Sequence, residues 1–158
     1  MKFPDRVFTS EEVERARRLI EEGHKHHITV SGSSKFKEKV EEALGLIKTA
    51  EHHDFLRTYI KIIIEVKGFS QLREAEAAIW VNKYAVADPI EAAGFLIQKA
   101  QQMKDYVEGK PYFGTVGEAN AVKKRIEFLK ALKNKSKDHA IKKKCEEALK
   151  LWEESKFI

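Results

Sequence analysis

Three of the four glutamines in the chain, Gln98, Gln101 and Gln102, fall within five positions of a stretch that is otherwise largely apolar. A buried amide without a partner costs about 1–3 kcal/mol, so these side chains need partners. Gln98 and Gln102 stand four apart and project from one face of a helix, with Lys99 between them. This is the spacing at which one helix offers two ligands to one ion. The amides can equally bond to neighbouring backbone.

Other residues with chemical capacity are scattered. His24, His26, His27, His52 and His53 are five of the six histidines, and neutral imidazole is the commonest metal ligand. Both groups lie in polar connections, and neither has the carboxylate or cysteine that completes a recognised spacing, so they read as surface residues. Ser31-Gly32-Ser33-Ser34 can offer amides to an anion, although helix capping explains it as well. Cys145 sits on an apolar helical stripe and reads as an inert core thiol. Lys123, Lys124, Arg125, Lys130, Lys133, Lys135, Lys137, Lys142, Lys143 and Lys144 crowd one region, opposed in sequence there only by Glu127 and Asp138. Such a patch can neutralise phosphates, or it can be a solvated face. No aromatic residues interleave it to stack on bases. Phosphate-loop, nucleophile-elbow and paired-cysteine motifs are absent, and no cofactor is called for.

The elements that position these residues follow from caps and periodicity. Asp88, Pro89 and Glu91 open a helix that Gly109 and Pro111 close, and Ala92, Ala93, Phe95, Leu96, Ile97, Ala100, Met103 and Tyr106 predict that it is largely buried. Before it, Thr9 and Glu12 form a capping box, with Phe8 and Val13 as a possible staple, for a surface helix ending at Gly23. Ile28–Val30 reads as a short strand. A helix capped by Ser33 or Ser34 then runs to about residue 50. Residues 52–67 read as one or two helical turns followed by a strand, and 75–81 as a second strand, the two pairing antiparallel. After the central helix, Thr115 and Glu118 give a further capping box for a helix to about Lys133. Ser136 or Asp138 begins the last helix, whose Ile141, Cys145, Ala148, Leu149 and Trp152 make a docking stripe. The expectation is a mostly helical α+β domain spanning residues 1–158, with a two- or three-stranded antiparallel sheet against the central helix.

Length and composition agree with one domain. At 158 residues the chain can bury about two-thirds of its unfolded surface. One cysteine excludes an intramolecular disulfide, residues 1–5 lack the apolar run of a signal peptide, and no apolar stretch is long enough to span a membrane. A cytoplasmic protein without a membrane partner is expected. Charged residues make up 35% of the chain, mostly Lys and Glu, a balance enriched in proteins from hot environments. The net charge of +5 permits an anionic partner without requiring one.

The order of elements carries a resemblance. A strand over 75–81, a buried helix with Gln98 and Gln102 one turn apart, and a later helix opened by Gly117-Glu118-Ala119-Asn120-Ala121 resembles the zincin metallopeptidase core. There the buried helix bears His-Glu-x-x-His, and a Glu from a later helix completes the zinc site. Ala-Gly-Phe-Leu-Ile-Gln-Lys-Ala-Gln-Gln resembles the helix of bacterial zincin-like proteins. The resemblance covers about residues 24–133. It places Gln98 and Gln102 where the two His would stand, Lys99 where the catalytic Glu would stand, and Glu118 at the third ligand. Zinc takes imidazole, thiolate or carboxylate, and a lysine repels a dication, so the resemblance implies a scaffold that has lost metal hydrolysis. Glu118 is equally explained as the partner of Thr115. Three readings follow: a non-catalytic zincin-like protein binding an unknown protein or small molecule; a basic nucleic-acid-binding domain using Lys123, Lys124, Arg125, Lys142, Lys143 and Lys144; and a metal-dependent hydrolase using the histidines.

Overall fold

Local signals place most of the elements in the computed structural model, which describes residues 2–155. Thr9 and Glu12 exchange side-chain and backbone hydrogen bonds, and this capping box starts α1 (Ser10–Glu21). The staple does not form as expected, because Phe8 remains 66% exposed. Ser33 Oγ accepts from Phe36 N to start α2 (Ser34–Thr49), after β1 (Thr29–Ser31). Residues 52–67 hold the expected short helix and strand, α3 (His53–Tyr59) and β2 (Ile62–Val66). Asp88 Oδ1 accepts from Ile90 N and Glu91 N at the head of α4 (Pro89–Val107). Asp138 Oδ1 accepts from Ala140 N and Ile141 N at the head of α6 (His139–Ser155).

The sheet differs from expectation. The strands over 62–66 and 78–82 pair in parallel, not antiparallel. A three-residue strand, β3 (Gln71–Arg73), follows β2 and pairs antiparallel with β4 (Ala78–Asn82) on its outer side. The order is therefore β1-β2-β4-β3, with β1, β2 and β4 parallel and β3 the antiparallel edge. The connection after β2 is long enough to lay down β3 first, so β4 returns between the two in β2's direction. A 3-10 turn (Glu74–Glu76) and Ala77, at φ 52°, join β3 to β4.

Among the described residues, six α-helices and this four-stranded mixed sheet make a single α+β domain. Ile63, Ile79 and Val81 turn one face of the sheet into the core, where they join Val40 and Ile47 of α2 and Leu96, Ile97, Ala100 and Met103 of α4. Leu129 and Leu132 of α5 (Gly114–Lys135) and Cys145 of α6 continue that core. Burial pushes the Cys145 thiol up to about 11, which keeps it protonated and inert. Arg17 of α1 donates through Nε and Nη2 to the Val107 carbonyl, closing the end of α4. Among the described residues no helix is long and apolar enough to cross a membrane.

Candidate functional site

Glu91, Gly94, Gln98 and Gln102 recur every three or four residues along α4 and so form one stripe. That stripe meets α5. Arg125 Nη1 donates to Gln98 Oε1 at 2.5 Å, while Nη2 donates to Glu91 Oε2 at 2.6 Å and to the Glu91 carbonyl at 3.2 Å. The guanidinium is also stacked over Trp152 of α6, 4.1 Å from the ring centroid. Only 4% of Arg125 is exposed. Burial brings its pKa down to about 10, and the Glu91 carboxylate opposes that shift, so the side chain is a cation at neutral pH. Gly94 makes room for it: a Cβ there would lie 2.4 Å from Arg125 Nε.

One turn on, Gln102 Nε2 donates to the Tyr112 carbonyl at 3.1 Å, and its Oε1 is buried without a hydrogen-bond partner. Gly117 lets the connection before α5 cross at that point, since a Cβ would lie 2.3 Å from the Tyr112 carbonyl carbon. Gln101 turns elsewhere and donates to Asp105 Oδ1 at 3.0 Å. Lys99 is half-buried with Nζ 5.3 Å from the Phe95 ring centroid; desolvation lowers its pKa, and the nearby Glu118 carboxylate opposes the shift.

The four residues of the expected site thus do different things. Gln98 and Gln102 are held by partners beyond α4, whereas Lys99 and Glu118 face each other electrostatically across α4 and α5. Glu118 bonds to neither amide. The second capping box is corrected too: α5 begins at Gly114, its N-cap Phe113 makes no side-chain cap bond, and Thr115 already lies inside the helix. Among the described residues no group of three or more His, Cys, Asp or Glu is arranged to hold a metal ion. Comparison with sequence-family models, curated proteins and solved structures finds no match in any of the three. The site must be read from its own geometry.

The other candidate residues separate as well. Arg125 leaves the basic patch for the core. Lys130, Lys133 and Lys135 meet Glu153, Glu146 and Glu51, the first two at 3.4 and 3.6 Å. Lys124 pairs with Glu127 at 3.2 Å over the Phe55 ring. Acidic residues from other elements therefore offset much of a charge run that had only Glu127 and Asp138 to oppose it in sequence. Lys123, Lys143 and Lys144 are exposed, and Lys142 is half-buried.

The histidines divide between two places. His24 and His26 pack around Phe3, with His26 T-shaped to it at 4.4 Å, and His26 is 6% exposed instead of lying on the surface. Burial, with the charges of His24 and Lys61, takes its pKa down to about 4. His52 Nδ1 is 2.8 Å from the Ala50 carbonyl and its ring meets Phe128.

Sequence reasoning missed Arg125, Glu91 and Gly94 as members of the site. The signal for Arg125 was present: it lies four after Ala121, three before Phe128 and four before Leu129, all buried. A charge on an apolar stripe marks a buried ion more than a solvated patch.

Proposed function

We propose that the chain is a non-catalytic, zincin-like protein that acts by binding a ligand or partner. The order β4, α4, α5, with two amides one turn apart facing the later helix, supports the resemblance. One observation carries the non-catalytic part: the Arg125 guanidinium is bonded to Gln98, the position of a first zinc ligand. A fixed cation there opposes a metal dication and replaces its role in tying α4 to α5. Gln102, committed to the Tyr112 carbonyl, lacks the basic nitrogen that zinc selects. Lys99 places an amine where a hydrolase would need a carboxylate base.

Metal analysis of the purified protein tests this reading, together with a peptidase assay with and without chelator. No stoichiometric zinc and no chelator-sensitive peptidase activity are expected. The double variant Gln98→His and Gln102→His should bind Zn²⁺ weakly while Arg125 remains. Adding Arg125→Met and Lys99→Glu should tighten binding, and affinity should fall as imidazole protonates below about pH 6.5. Zinc held by the wild-type residues would overturn the proposal. So would a four-residue variant that folds but binds no metal, since residues 98, 102 and 118 would then not converge.

A further inference from the structure

Among the described residues, the core joins the sheet through the face of Ile63, Ile79 and Val81. Ile62, Ile64 and Val66 register with Ala78, Trp80 and Asn82 on the face opposite Ile63, Ile79 and Val81. Ile62, Ile64, Val66 and Trp80 stay outside the buried core and are half-buried. Parallel strands are normally covered on both faces, so this face has the composition of a binding surface.

Its carboxyl end is stiffened by Asn82. The Nδ2 of Asn82 donates to the carbonyls of Lys67 and Gly68 at 3.1 and 3.0 Å, its Oδ1 accepts from Tyr84 N at 3.0 Å, and its own N donates to Ser70 Oγ at 2.8 Å. The turn after β2 and the turn after β4 thus form one piece, which holds Phe69 91% exposed and Tyr84 76% exposed. Lys61 and Lys67 flank β2 and Lys83 follows β4, all exposed. Lys83 Nζ lies 5.2 Å from the Tyr84 ring centroid, and the Arg73 guanidinium stacks 4.1 Å from that of Trp80. Of the acidic neighbours, Glu65 is held by Ser33 N at 2.8 Å and Glu76 lies 4.0 Å from Arg73.

We propose that the carboxyl end of this face binds single-stranded nucleic acid, with bases stacked on Phe69 and Tyr84 and phosphates on Lys67 and Lys83. Aromatic rings beside a basic rim match a polyanion with unpaired bases. A second copy of this chain would bring like charges together. One exposed Phe among Ser70, Asn82 and Tyr84 is a small wedge for a bilayer. The lysine-rich helices lack such rings, so this surface is distinct from the patch read in the sequence. It also stands whether or not the zincin-like reading does.

The test is binding of the full chain to labelled oligothymidylate and oligouridylate across a salt series, with anionic and neutral phospholipid vesicles in parallel. Both oligonucleotides should bind. Two lysine–phosphate contacts give an expected slope of log K on log salt of about −1.4. Phe69→Ala and Tyr84→Ala should each weaken binding by at least about fivefold. Because both side chains are exposed, the melting temperature should be unchanged. Lys67→Glu with Lys83→Glu should flatten the salt slope, whereas reversing Lys142, Lys143 and Lys144 should leave binding intact. Absence of oligonucleotide binding, binding to anionic vesicles alone, or binding that survives both aromatic changes but falls with Lys142–Lys144 would each overturn the proposal.

Discussion

Removing the partners of Arg125 should destabilise the protein more than removing Arg125 itself. The guanidinium is 4% exposed and has three hydrogen-bonded acceptors, Gln98 Oε1, Glu91 Oε2 and the Glu91 carbonyl. Arg125→Met keeps much of the side chain's length and its packing on Trp152 while removing the charge. The Glu91 side chain is 51% exposed and can be solvated, so the loss is mainly that of the Gln98 and carbonyl contacts, about 1–2 kcal/mol. The double change Glu91→Ala and Gln98→Ala leaves a buried cation with one carbonyl and one ring, at a cost of about 3–5 kcal/mol. Introduced into the Arg125→Met variant, the same pair should cost about 1 kcal/mol, because no cation remains to be stranded. The coupling should therefore be about 2–4 kcal/mol. Urea unfolding followed by tryptophan fluorescence reads it, provided the denaturant slope stays constant across the four proteins. Costs that add to within about 0.5 kcal/mol would refute the lock and leave Arg125 a passive neighbour of α4.

Three further outcomes follow from packing and burial. Gly94→Ala should displace the guanidinium and destabilise the protein by roughly the 1–3 kcal/mol of core overpacking, whereas Gly45→Ala, where a Cβ meets nothing within 4 Å, should not destabilise it; equal melting temperatures for the two would contradict the packing. Ile97→Ala should cost about 3 kcal/mol and half-buried Phe95→Ala less, checked by urea midpoints. The His26 pKa of about 4 lies below its unfolded value near 6.5, so the unfolded chain takes up the proton first and stability falls as pH drops from about 6.5 to 4, by at most about 3 kcal/mol; His26→Phe should lessen that loss, and an unchanged pH profile would exclude His26 as its source.

Elements announced by local chemistry were legible in the sequence, and those made by long-range pairing were not. The Thr9–Glu12 box, the Ser33 cap and the Asp88-Pro89 start each satisfy a helix terminus with residues a few positions away, so they could be read directly. The strand over 62–66 was visible because Ile62, Ile64 and Val66 alternate with Ile63 and Glu65. Its direction relative to β4 was not, since that depends on Gln71-Leu72-Arg73, too short for alternation to show. Gly68-Phe69-Ser70 ends β2, and the chain beyond it lays down this short strand before β4. The false capping box at Thr115 failed for a related reason: Gly114, at φ 73°, turns the chain into α5 one residue earlier and leaves Thr115 nothing to cap.

The site shows the same division more sharply. That Gln98 and Gln102 need partners follows from placing amides in an apolar helix, and each has one. Which partners they find depends on α5 crossing α4 closely enough for Arg125 to reach Gly94, a fact held in two glycines and one misfiled arginine instead of in any motif. Counting Arg125 with Lys123 and Lys124 treats the helix as a string of charges. Placing it with Ala121, Phe128 and Leu129 treats the helix as a cylinder, and on a cylinder that charge can only point inward, towards the one stripe of α4 able to accept it.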